Sequence, residues 1–451
     1  MESAARTVNV AALLFVFLLF SVNEISPAFA AVNQAQSSKR KPQSSGSSAV
    51  FPVQGNVYPD GVFTVALKIG KRPQPYILDI DTGSDLTWLQ CDAPCVRCTK
   101  QPQYLYKPNN NLVRCNDALC GAVQMNGIDP CTDAVEQCDY EVEYADRGTS
   151  LGVLVADNFH LQFSDGSRLS PRLAFGCGYD QQFPNPNHPP TTDGILGLGT
   201  GKSGIVSQLK EMGLIGHVFG HCFSGRGGGF FFFGDKIVPS SGVTWVPMSS
   251  TGHSIDKHYS LGPAELLFDG QSTGVKGLLM IFDSGSSYTY FNALAYKAAV
   301  SAVRKGLNGK LKDAVEDKTL PICWKGLRPF KSVQDVKSYF KPLQLKFTKT
   351  KNSQLEIPPE SYLVITKHGN ACLGILNGKE VGLDSLNLIG DNFFQDKMVV
   401  YNNEKKQIGW TSANCNRLPI DDGDGLSQPD ADELSLLNEY SSATRGWRDE
   451  L

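Results

Sequence analysis

One motif occurs twice in this chain of 451 residues, and the pair limits the folds open to it. Ile80-Asp81-Thr82-Gly83-Ser84 is followed by Ile195-Leu196-Gly197, and Phe282-Asp283-Ser284-Gly285-Ser286 by Leu388-Ile389-Gly390. The closing glycine comes 116 residues after Asp81 and 107 residues after Asp283. A lone Asp-Thr-Gly arises by chance. Two such turns, each with an apolar-apolar-Gly partner at a similar distance, mark two lobes of one ancestral design. The lobes read as mostly β: strand patterns run over 63–69, 76–80, 152–163, 230–233, 278–282 and 397–401, broken by turns. Helical patterns are few, over 293–304 and 203–212. The 44 glycines and 25 prolines are aperiodic, which favours many turns over a helical bundle.

Each aspartate follows an apolar strand and precedes a hydroxyl residue and a glycine. Gly83 and Gly285 allow a tight turn and close approach of the backbone. Thr82 and Ser284 offer hydroxyls to a lobe interface, and Ser84 and Ser286 can hold the carboxylates in orientation. Lobes facing each other across a pseudo-two-fold axis would bring Asp81 and Asp283 together. Two carboxylates about 3 Å apart cannot both ionise near neutral pH and so share one proton. One is then a general base toward water and the other a proton donor to a carbonyl oxygen. Neither a metal nor a cofactor is needed for that chemistry.

The ends of the chain point to the secretory route. Arg6, the apolar run 10–20 and Ala28-Phe29-Ala30 read as a signal peptide over 1–30. That run is too short for a transmembrane anchor, which needs about 20 apolar residues. Residues 31–57 are polar and carry Lys39, Arg40 and Lys41, as a linker or a short basic propeptide would. Residues 416–451 form an acidic stretch, poor in apolar residues and expected to be flexible. It ends in Arg448-Asp449-Glu450-Leu451, which is similar to the signals read by the endoplasmic-reticulum retrieval receptor. A net charge of −3, with no long basic run, argues against nucleic acid as a partner.

From about 58 to 415 the chain resembles the pepsin-like aspartic proteases. Asp81-Thr-Gly-Ser-Asp-Leu-Thr-Trp88 matches the first active-site motif, and Leu388-Ile-Gly-Asp-Asn-Phe393 with Gly409-Trp410 matches the C-terminal one. Tyr144 falls at the flap tyrosine, where it would hydrogen-bond Trp88 and close over substrate. The flap departs from the commoner Tyr-Gly-x-Gly form, reading Tyr-Ala-Asp-Arg-Gly. The cysteine-rich segment 91–138 and Phe175-Gly-Cys177-Gly are similar to the nepenthesin and nucellin-like plant branch. The interval between Asp283 and Gly390 has no room for the saposin-like insert of vacuolar relatives.

The resemblance implies a bilobal pepsin-like fold, with an N-terminal lobe over 58–240 and a C-terminal lobe over 241–415. It implies an acid-optimum endopeptidase with Asp81 and Asp283 as catalytic pair, working as a monomer on peptide or protein substrates. Pepstatin-type inhibitors should bind. A catalytically weak binding or inhibitor protein on the same fold is the alternative. An endoplasmic-reticulum lumen, extracellular or vacuolar location fits the two ends of the chain.

Twelve cysteines in a secretory chain read as disulfides. Zinc is the rival for Cys91-x3-Cys95-x2-Cys98 with Cys115 and Cys120, and is not expected. By resemblance the pairs are Cys91–Cys95, Cys98–Cys177, Cys115–Cys138, Cys120–Cys131, Cys222–Cys415 and Cys323–Cys372. Gly197-Leu-Gly-Thr-Gly-Lys-Ser203 lacks the first glycine of a phosphate loop and reads as a turn. His217 and His221 read as packing or surface residues. No Asn-x-Ser/Thr acceptor occurs.

Overall fold

Alternation of apolar and polar residues builds most of the structure. In the strand Tyr76–Asp81, Tyr76, Leu78 and Ile80 point into the core while Ile77 and Asp79 turn the other way. The computed structural model describes residues 47–417, except 125–130, 132, 184–188, 251–256 and 352. The expected signal peptide, the Lys39-Arg40-Lys41 cluster and the acidic stretch after 417 lie outside the described residues, as does the Arg448-Asp449-Glu450-Leu451 ending.

A 13-stranded sheet forms the larger layer. Its strands follow the order Thr244–Pro247, Gln407–Ser412, Lys397–Asn402, Val218–Phe223, Gly229–Phe233, Ala49–Asn56, Val62–Leu67, Tyr76–Asp81, Gly194–Gly197, Trp88–Gln90, Arg172–Gln182, Thr149–Asn158 and Asp139–Glu143. A second sheet orders Ser353–Ile357, Leu343–Phe347, Ser260–Phe268, Leu278–Phe282, Asn387–Ile389, Thr289–Phe291 and Ile375–Asn377. The border expected at 240/241 therefore does not separate the sheets. Strands from 244–247 and 397–412 complete the first sheet, pairing onto Val218–Phe223 with Cys222 opposite Met398.

The stretch 31–57 also needs correction at its end. Ala49–Asn56 is a strand hydrogen-bonded on both sides, to Gly229–Phe233 and to Val62–Leu67. Ala49 and Val53 are in the core, so a linker or removable segment cannot extend past 48 without opening the sheet. The four phenylalanines of Gly229–Phe233 show why this region is so apolar. Phe231 and Phe233 enter the main core, whereas Phe230 and Phe232 pack on the other face with Val218, Met398 and Val400. A strand covered on both faces has no polar side.

The 293–304 helical pattern runs on to Leu307. Asn292 caps it by accepting from the Ala295 amide at 3.0 Å, and Asn308 ends it in the left-handed region. Ala295, Ala299, Val303 and Leu307 form its buried stripe at four-residue spacing. The second expected helix is shorter, Ile205–Glu211.

Four of the six disulfides expected by resemblance are rearranged. The observed pairs are Cys91–Cys177, Cys95–Cys98, Cys115–Cys131 and Cys120–Cys138, with Cys222–Cys415 and Cys323–Cys372 as expected. Strand register explains the first. Trp88–Gln90 runs parallel to Arg172–Gln182 with Leu89 opposite Cys177, and the Cys91 amide donates to Gly178 O at 2.9 Å. Cys91 is thereby carried to Cys177, and Cys95 and Cys98 are left to pair across their own turn. Cys120 lies on the short helix Ala118–Gln124, whose contacts reach the strand after Cys138. With all twelve sulfurs in disulfides, no thiolate is left for zinc.

Candidate active site

The two repeated turns are built alike. Tyr76–Asp81 pairs in parallel with Gly194–Gly197, setting Asp81 opposite Gly197, and the Asp81 carbonyl accepts from Leu198 N at 2.8 Å. Leu278–Phe282 pairs in parallel with Asn387–Ile389, with Phe282 opposite Ile389 and Asp283 N donating to Ile389 O at 3.0 Å. The apolar-apolar-Gly repeats are thus the parallel neighbours of the aspartate strands.

The turns meet tip to tip. A Cβ at Gly83 would lie 2.6 Å from Asp283 Oδ1, and one at Gly285 would lie 2.8 Å from Asp81 Cγ. Each glycine is therefore pressed against the carboxyl of the other turn, where any side chain would push the pair apart. Behind the tips the hydroxyls of Thr82 and Ser284 cross over. Thr82 Oγ1 donates to Phe282 O at 2.9 Å and accepts from Ser284 N at 3.0 Å. Ser284 Oγ donates to Ile80 O at 2.7 Å and accepts from Thr82 N at 3.2 Å. These four bonds are buried and tie the two aspartate strands to each other.

Each carboxyl also has local support. Asp81 accepts from the Gly83 amide at 2.7 Å and from the Ser84 hydroxyl. Asp283 accepts from the Gly285 amide and the Ser286 hydroxyl, both at 2.9 Å. Burial first, and the adjoining Asp283 carboxylate second, push the Asp81 carboxyl up to about 7. Burial raises Asp283 as well, against the lowering effect of Ser286 and Gly285. The pair is set to hold one proton between two oxygens.

A cleft of about 590 Å³ opens over the pair. Trp88, Tyr144, Ile195, Tyr290 and Leu388 are among its apolar and aromatic walls. Trp88 Nε1 donates to Tyr144 Oη at 2.6 Å. Tyr144 begins the turn of a hairpin between Asp139–Glu143 and Thr149–Asn158, closed by Tyr144 N donating to Gly148 O at 2.9 Å. Arg147 holds φ +71° in this turn, the position of the second glycine in the commoner flap sequence.

Two further carboxyls surround the pair and were not singled out as site residues. Asp79 shares the cleft-facing side of its strand with Asp81, a consequence of the two-residue strand period. That period was legible in Leu78-Asp79-Ile80-Asp81. Asp391, part of the C-terminal motif, is buried near the pair. Burial and the neighbouring carboxyls hold both well above the usual range. The other motifs are structural. His221 is buried against Phe223 and reaches Tyr401 Oη at 3.2 Å, while the 197–203 glycines wrap the Asp85 carboxylate, which accepts from Gly201 N at 2.9 Å.

Comparison with known proteins agrees with this geometry. Residues 63–235 match the family described as xylanase inhibitor N-terminal, and residues 259–412 its C-terminal counterpart. A protein of Oryza sativa subsp. japonica named as an aspartic proteinase is 46% identical over 385 residues, covering 83% of this chain and 92% of its own length. The chain belongs to the pepsin-like aspartic proteinase family. Aspartic proteinase 39 of Arabidopsis thaliana is 28% identical, covering 83% of this chain and 79% of its own length. Nepenthesin-2 of Nepenthes gracilis is 24% identical over 79% of this chain and 78% of its own. Among solved structures, basic 7S globulin from soybean aligns with a TM-score of 0.65 at 16% identity, covering 84% of this chain and 99% of that one. At that identity the likeness shows the bilobal fold alone. The plant proteinases and the six disulfides fit a secretory-pathway protein, and among the described residues no helix is long and apolar enough to cross a membrane.

Proposed function

We propose that this family member is an active aspartic endopeptidase, with Asp81 and Asp283 as its catalytic pair. The reading is carried by the reciprocal support of the two carboxyls: each has its own glycine amide and serine hydroxyl, and the Thr82–Ser284 crossing holds them together. A water between the carboxyls gives a proton to the ionised one and attacks the scissile carbonyl carbon. The protonated one donates to the carbonyl oxygen, giving a tetrahedral diol. Return of a proton to the amide nitrogen then releases the amine. Substrate lies extended in the cleft, its side chains alternating between pockets. Tyr144 covers the reacting bond with its hydroxyl anchored by Trp88.

The raised carboxyls extend activity upward in pH, so that the singly protonated pair persists toward neutral conditions. That suits an enzyme passing through, or retained by Arg448-Asp449-Glu450-Leu451 in, the endoplasmic reticulum. A propeptide, where present, ends before Ala49. The second reading, a binding or inhibitor protein, is favoured by the name of the matching family. Digestion of a denatured protein across pH 3–8, with and without pepstatin, separates the two. The proposal expects pepstatin-sensitive cleavage with a single-proton pH profile. Folded, trimmed protein that cleaves nothing at any pH contradicts it.

A further inference from the structure

The cleft has an unbalanced charge. Among the described residues lining it are Asp79, Asp81, Glu143, Asp146 and Asp283, with His258, and no lysine or arginine. Lys100 is engaged with Asp193 at 3.6 Å and with the Thr191 carbonyl, and Arg97 with Asp180, while Arg147 is exposed at the tip of the flap turn and Lys257 is exposed beside His258. Two of the carboxyls belong to the central pair, and Glu143 and Asp146 are exposed on the flap hairpin. Asp79 is different. It lies two residues before Asp81 on the same face of one strand, about 7 Å along it. Its register neighbour Ile195 pairs on its other side with Trp88, and Gln90 and Thr192 continue the wall. One oxygen, Asp79 Oδ1, is buried and has no hydrogen-bond partner.

A carboxyl with one oxygen held from water without a partner is costly, and a site that keeps one is poised for a counter-group. We infer that Asp79 makes the pocket beside the catalytic pair selective for a cationic side chain, lysine or arginine, flanking the scissile bond. This rests on the cleft being a peptide-binding cleft. The stem of such a side chain would lie along Ile195 and Trp88, with its charged head against the cleft-facing part of the Asp79 carboxyl. Burial, then Asp81 and Asp283, push the Asp79 carboxyl toward its protonated form. An entering ammonium or guanidinium displaces that proton to solvent and completes the pair.

The test uses octapeptides that differ only in lysine or norleucine, placed in turn at each of the four positions nearest the scissile bond. Each is made in two forms, one cleavable and one with a reduced, uncleavable bond. Cleavage rates and dissociation constants are measured for wild type, Asp79→Asn and Asp79→Glu, with melting curves to show that the variants fold. The inference expects one position at which wild type favours lysine by about tenfold, the strength of one charge-assisted hydrogen bond. Asp79→Asn should cut that preference below about threefold, and Asp79→Glu should keep part of it. Wild type without preference at any position overturns the inference, as does an equal preference in Asp79→Asn, which would assign it to Glu143 or Asp146. Cleavage without selectivity leaves the endopeptidase reading standing alone. Lysine-selective binding without cleavage leaves the pocket standing and removes the activity. Neither binding nor cleavage of any peptide overturns both.

Discussion

Replacing Thr82 by valine removes one oxygen and keeps the shape of the side chain. That oxygen accepts from Ser284 N at 3.0 Å and donates to Phe282 O at 2.9 Å, and Thr82 itself is almost wholly buried. Valine leaves an amide and a carbonyl facing a methyl group where water does not enter. Each such group costs about 1–3 kcal/mol, so the loss should be about 4 kcal/mol. Unfolding entropy near 2 cal/mol/K per residue over roughly 350 folded residues converts this to a fall of about 5 °C in melting temperature. The same change frees the tips, so kcat should fall by more than the loss in stability explains at a temperature where both proteins are folded. Thr82→Ser keeps the oxygen and should stay within about 1 kcal/mol of wild type. Melting curves by near-ultraviolet circular dichroism, with peptide cleavage alongside, read both effects. A Thr82→Val protein that melts within 1 °C of wild type and cleaves at the same rate would refute the role given to the crossed hydroxyls.

Tyr144→Phe leaves the ring but removes the acceptor for Trp88 Nε1, so kcat/KM should drop about tenfold with little change in melting temperature; a steady-state assay checks this. The carboxyls of Asp81 and Asp283 are both raised on folding, and Asp81, raised to about 7, makes the folded state bind more protons than the unfolded one between about pH 4 and pH 7. Their contribution to stability is thus full below about pH 4 and is lost as pH rises toward 7. Denaturant titrations should show Asp81→Asn escaping that loss and exceeding wild type at pH 7 by a few kcal/mol. Cys222→Ser with Cys415→Ser opens a loop of 193 residues and should cost up to about 5 kcal/mol by chain entropy, read from the same titrations.

The centre of the molecule was more legible than its seams. Asp81 and Asp283 could be paired because the motif repeats, and the apolar-apolar-Gly segments could be tied to them because each is the parallel neighbour of an aspartate strand. Period two already placed Asp79 beside Asp81, although only the fold brings it within reach of Asp283 and leaves its Oδ1 without a partner. The disulfides in the 91–138 segment were not legible, because their choice depends on strand register. One residue of slip between 88–90 and 172–182 would offer Cys177 a different neighbour. Ala49–Asn56 was obscured by the polar sequence before it and by Pro52, and is a strand because two neighbours supply its hydrogen bonds. The border between the halves was blurred for the same reason. Strands 397–402 and 407–412 come late in the chain but pair with Val218–Phe223, a contact no local pattern announces.

The most direct test of the catalytic pair is cleavage of one peptide by wild type, Asp81→Asn and Asp283→Asn across pH 3–8, each shown to be folded by its melting curve. The account predicts that both variants lose at least about a thousandfold in kcat, since neither retains a carboxyl pair able to share one proton. It also predicts that the wild-type profile falls off near pH 7, where Asp81 loses its proton. Either variant cleaving within tenfold of wild type would contradict it.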